Sequence, residues 1–91
     1  MNRVDLLKQG IELTSGDRNI QYGEPRVNFA NVAALWTAYL QSKYDMPAVI
    51  TPEDVAWLNV LQKCGRTFLG VPKEDSYIDA AIFAAIAGEV A

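Results

Sequence analysis

Apolar residues recur at helical spacing in four stretches, and turn-forming residues bound each one. In the first, about Arg3 to Thr14, Val4, Leu7 and Ile11 share a face that Leu6 and Leu13 widen. Gly10 lies inside this stretch at a cost of about 1 kcal/mol relative to alanine, which points to close packing there or to a weak helix. Ser15-Gly16-Asp17 forms its stop. The second helix is expected from Pro25, suited to a first helical turn, to about Ser42. Its broad apolar face holds Phe29, Val32, Leu35, Trp36, Tyr39 and Leu40.

Thr51-Pro52-Glu53-Asp54 opens the third helix, with Thr51 as N-cap, Pro52 behind it, and two acids on the positive end of the helix dipole. Val55, Leu58, Leu61 and Cys64 line one side, and Phe68 extends it. Trp36, Trp57, Phe29 and Phe68 read as core packing, and Cys64 as an inert buried thiol. Trp57 stands off that stripe and suits a subunit contact. The fourth helix is expected to be capped by Asp75 or Ser76, with Asp79 as the distal acid of a capping-box variant.

After Asp79 the chain reads Ala-Ala-Ile-Phe-Ala-Ala-Ile-Ala-Gly, with almost no polar face. A helix apolar all round must be buried on most sides. Three other helices can hardly surround it in 91 residues. The expectation is one all-α domain over residues 1–91, about four helices in a compact bundle, joined as a homo-oligomer through the apolar C-terminal helix. The alternative places that helix in the middle of a compact monomer.

Composition removes several chemistries. Half of the chain, 51%, is hydrophobic, and eight Lys+Arg against eleven Asp+Glu give a net charge of −3. That balance argues against a domain built to grip duplex nucleic acid. One cysteine rules out an internal disulfide framework, and the lack of histidine removes the usual zinc sites and His-based catalysis. No phosphate loop, dinucleotide fingerprint or nucleophile elbow occurs. With no signal peptide and no apolar run of membrane-spanning length, the expected location is a reducing cytoplasm, with no membrane partner.

Three polar clusters remain as candidate chemistry. Asp17, Arg18, Tyr22, Gly23 and Glu24 form a loop that can cradle an anion, Arg18 offering a planar fork to phosphate or carboxylate. Lys63 and Arg66 share a helix face near a C-terminus, where the dipole favours cations in any case. Asp75 and Asp79, four apart, can face Mg²⁺ together, with substrate phosphates completing its shell. The last two clusters are equally explained by an ionic clamp between the third and fourth helices.

The order of these pieces resembles a small family of phage and prophage proteins with no assigned function. The resemblance runs over nearly the whole chain. It rests on Thr14-Ser15-Gly16-Asp17-Arg18, Tyr22-Gly23, Asn28-Phe29, Ala34-Leu35-Trp36-Thr37-Ala38-Tyr39-Leu40, Ile50-Thr51-Pro52-Glu53-Asp54-Val55-Ala56, Lys63 with Arg66, and Glu74-Asp75-Ser76-Tyr77-Ile78-Asp79. Ile82-Phe83 departs from the family's Gly-Tyr, which removes a tyrosine hydroxyl. A more distant likeness is to all-α nucleotide pyrophosphohydrolases of the MazG type. The chain lacks their Glu-Glu pair, and only Asp75 and Asp79 match part of their acidic set. The resemblance implies a protein of phage nucleotide metabolism in the host cytoplasm. Arg18, Tyr22, Lys63 and Arg66 would then bind a nucleotide or other phosphate ligand, and Asp75 and Asp79 would hold Mg²⁺. The alternative is a non-enzymatic oligomeric module that binds a host or phage protein.

Overall fold

The computed structural model describes residues 1–16, 24–68, 70, 71 and 73–91. These form four helices, α1 (Arg3–Ser15), α2 (Pro25–Tyr44), α3 (Pro52–Gly65) and α4 (Glu74–Val90), with no strand among the described residues. No helix among the described residues is long and apolar enough to cross a membrane.

Local chemistry sets the helix boundaries. The Asn2 side chain accepts a hydrogen bond from the Asp5 N–H at 3.0 Å and opens α1. At α3 the capping box is complete: Asp54 N–H donates to Thr51 Oγ1 at 3.1 Å, and Thr51 N–H to Asp54 Oδ2 at 2.9 Å. Two orphan donors are thereby satisfied reciprocally. Helix α2 runs past Ser42 to Tyr44 and stops at Asp45, whose φ of 54° is left-handed and whose N–H returns to the Gln41 carbonyl.

The start of α4 differs from expectation. Lys73 is the N-cap and makes no side-chain cap bond, so neither Asp75 nor Ser76 caps this helix. Asp75 lies in the first turn, and Asp79 is one turn further in. The acids Glu74 and Asp75 suit the positive end of the dipole. The backbone closes the turn itself, Ser76 N–H donating to the Lys73 carbonyl at 3.1 Å.

Helix α4 is the centre of the molecule, and all three other helices pack on it. It runs antiparallel to α3: Lys63 meets Asp79 at one end, and Val55 and Ala56 share a cluster with Ala87 at the other. It runs parallel to α1: Met1 approaches Glu74, and Gly10 lies against Ile78 and Ile82. From α2, Phe29 tilts against Phe83 with ring centroids 6.3 Å apart, and Ala33 completes the cluster. Ile50 is pinned to α2, its N–H donating to Thr37 Oγ1 at 2.9 Å.

The core is smaller than the apolar pattern suggests. It consists of Phe29, Ala33, Val55, Ala56, Ile78, Ile82 and Ala87. Of the residues expected in the core, Trp36, Trp57, Cys64 and, at 75% exposure, Phe68 are on the surface, as are Leu35, Leu58 and Leu61 of the apolar faces. The Val4–Leu7–Ile11 stripe of α1 also faces outward, Leu7 being 55% and Ile11 63% exposed. The reason is geometric. Helix α1 turns its Gly10 side to Ile78 and Ile82 of α4, where there is room for a small residue but not for a long side chain. That rotation carries Leu7 and Ile11 away from the core.

Three substitutions test the cap and the packing. Thr51→Ala is expected to cost about 1 kcal/mol in urea unfolding, through loss of the capping box. A Cβ at Gly10 would meet Ile82 Cγ1 at 3.5 Å and Ile78 Cγ2 at 3.9 Å, ordinary contact distances. Gly10→Ala should therefore raise stability, by up to about 1 kcal/mol through helix propensity. Gly10→Leu, which must wedge α1 from α4, should lower it.

Candidate functional site

The corner where α3 ends and α4 begins gathers four of the six residues expected to carry chemistry. Lys63 and Arg66 come from the end of α3 and its C-cap, and Asp75 and Asp79 from the first turns of α4. Because the two helices are antiparallel, residues 63 and 79 face each other across the interface. Lys63 Nζ lies 3.2 Å from Asp79 Oδ2, with the two side chains only 15% and 21% exposed. Arg18 and Tyr22 lie outside the described residues.

The last turn of α3 tightens before the chain leaves it. Thr67 N–H and Phe68 N–H donate to the Cys64 and Gly65 carbonyls, and Thr67 Oγ1 donates to the Cys64 carbonyl at 2.7 Å. Further on, Gly70 takes a φ of 84°, a conformation that side chains rarely adopt. These turns fold the connection back toward α4 and leave a cleft of about 510 Å³, lined by Arg66, Gly70, Val71, Lys73, Asp75, Ser76 and Asp79.

The cleft brings in Lys73 and Ser76, which the sequence reading missed. Both sit at the α4 start, where no local pattern separates a residue lining a cleft from one in an ordinary first turn. Among the described residues, Asp79 is engaged by Lys63, while no acid lies within ion-pair distance of Arg66 or Lys73. Two cations and a hydroxyl thus border an uncapped helix N-terminus, where N–H groups and dipole both favour an anion. Asp75 is the exposed carboxylate of the group. No cluster of three metal-binding side chains occurs among the described residues. A divalent ion held through Asp75 would need ligand phosphates to complete its shell.

The ionic clamp between α3 and α4 is therefore present, but it uses only one cation and one acid. The rest of the polar set faces the cleft. Other polar contacts lie within single helices: Trp57 donates its indole N–H to Glu53 Oε2 at 3.0 Å, and Lys43 lies over the Tyr39 and Tyr44 rings.

Comparison with known proteins places the chain among phage sequences. The model of DUF6378, a domain of unknown function, matches residues 5–91. The Gene 55 protein of Mycobacterium phage D29 is 35% identical over 79 residues, covering 87% of this chain and 48% of that protein. The Gene 55 protein of Mycobacterium phage L5 is 30% identical over 83 residues, covering 91% of this chain and 50% of that protein. The chain thus spans about half the length of the curated relatives it matches. No solved structure matches. The phage likeness read from the motifs is borne out, and these matches lend no support to the distant MazG-type likeness.

The clamp has a measurable signature. Asp79→Ala leaves a half-buried ammonium without its partner and should cost roughly 1–3 kcal/mol in urea unfolding. Asp75→Ala removes an exposed group and should stay within about 0.5 kcal/mol. An apolar replacement of both partners, Lys63→Met with Asp79→Leu, should recover most of the loss.

Proposed function

The chain belongs to the DUF6378 family, and on that premise we propose that it binds a phosphate-bearing ligand, a nucleotide of phage metabolism, in the cleft between the end of α3 and the start of α4. The observation that carries this reading is the open N-terminus of α4, bordered by Arg66, Lys73 and the Ser76 hydroxyl in a cleft of about 510 Å³. Arg66 supplies a planar fork that can take two phosphate oxygens, and Lys73 a mobile point charge. The first-turn N–H groups of α4 complete the donor set. Lys63 and Asp79 hold the two helices in register beneath it. Asp75 is placed to share Mg²⁺ with the ligand's phosphates. Arg18 and Tyr22 belong to the same proposal as further ligand contacts. If the site turns its ligand over, phosphoanhydride hydrolysis is the reaction class that this donor set serves.

A second reading, a non-enzymatic oligomeric interaction module, is favoured by a different observation. Large apolar side chains of α1, α2 and α3 stand on the surface, among them Leu7, Ile11, Leu35, Tyr39 and Leu61. A soluble monomer gains nothing from exposing them.

Thermal unfolding against nucleoside mono-, di- and triphosphates, with and without Mg²⁺, separates the two. A ligand that binds only the folded chain stabilises it by about 2.7 kcal/mol at a hundredfold excess over Kd. The expected result is a nucleotide-dependent rise in midpoint that Mg²⁺ enlarges and that Arg66→Ala abolishes. A flat panel in a cooperatively unfolding protein, or a rise that survives Arg66→Ala, overturns the phosphate assignment.

A further inference from the structure

We infer that the groove between α1 and α4 is the contact surface of a two-fold dimer, occupied in each copy by the Leu7–Ile11 ridge of the other. The inference rests on the oligomeric reading above and names its interface. The groove is about 190 Å³ in volume. Leu7, Ile11, Ala81, Ala85 and Ile86 line it around the buried Gly10 and Ile82, with Thr14 and the exposed Glu89 as its polar residues. Small lining residues let another helix approach closely, and branched ones give it apolar surface to bury.

The occupant is a second copy because the chain carries the matching ridge on the same surface. Val4, Leu7 and Ile11 project from α1 at a spacing of three and four, all at least half exposed. They flank the groove rather than fill it. A two-fold axis makes such a surface self-complementary, since each ridge enters the other copy's groove and the contact closes. Charge agrees at the edge. Lys8 is exposed on α1 beside the ridge, and Glu89 lies on the rim, so opposite charges are available to meet across the axis.

Sedimentation equilibrium of the full chain, from low to high micromolar concentration, tests the proposal. The expected mass is twice the chain's 10.0 kDa. Leu7→Glu with Ile11→Glu should raise the dimer dissociation constant by roughly tenfold or more. Helix content by circular dichroism should stay unchanged, because both side chains are exposed in the single chain. Charge reversal at Lys8 and Glu89 supplies a second variant set. Either reversal alone should weaken the dimer, and both together should restore it. A wild-type chain that stays monomeric overturns this interface and the oligomeric reading with it. A dimer that survives Leu7→Glu/Ile11→Glu but dissociates with Tyr39→Glu or Leu61→Glu overturns the interface alone.

Discussion

The burial of α4 is the constraint on which the rest of the structure depends. From Ala80 to Gly88 this helix has no polar face to offer solvent. Its apolar surface is removed from water only if other elements cover it, at roughly 25 cal/mol per Å² covered. The protein meets this by laying every other helix against it. Helix α3 returns antiparallel along one side, α1 lies parallel along another, and α2 contributes Phe29 and Ala33 near the C-terminal half. Spending three helices on one has a consequence. The covering helices have little left to bury their own second faces, and Leu7, Ile11, Leu35 and Leu61 remain on the surface.

The same arrangement positions the polar chemistry. An antiparallel α3–α4 pair necessarily places the C-terminal end of one beside the N-terminal end of the other. Cations favoured at the first and acids favoured at the second then meet without further design. Lys63 and Asp79 take up that meeting as a partly buried ion pair. Such a pair fixes which residues face each other more than it adds stability, because desolvation offsets much of the attraction. Once the register is held, Arg66, Lys73 and Ser76 fall around the open start of α4. The cleft is thus a by-product of helix order and register.

The number of helices and most of their ends were legible in the chain because their signals are local. Thr51 and Asp54 lie three residues apart, so the capping box needs no tertiary context. The ends of α1 and α2 follow Gly16 and Asp45 in the same way. The start of α4 was misread because three polar residues in succession, Glu74, Asp75 and Ser76, all suit a first turn. None of them caps it: the extended backbone at Lys73 makes that residue the N-cap and puts all three inside the first turn. In the candidate site, Lys63, Arg66, Asp75 and Asp79 were visible from charge and spacing. Lys73 and Ser76 were not, since nothing local separates a residue lining a cleft from one facing solvent.

The chain by itself determined that the fold is helical, where its breaks fall, and which charged groups stand at helix ends. Hydrophobic period, caps and glycines act over a few residues, so their outcome is written locally. Only the tertiary structure decided which apolar face each helix buries. The Val4–Leu7–Ile11 stripe looked like the core side of α1, yet Gly10, on another side, is what the central helix accepts. That choice depends on which faces of two helices fit together, a property of the pair and not of either segment.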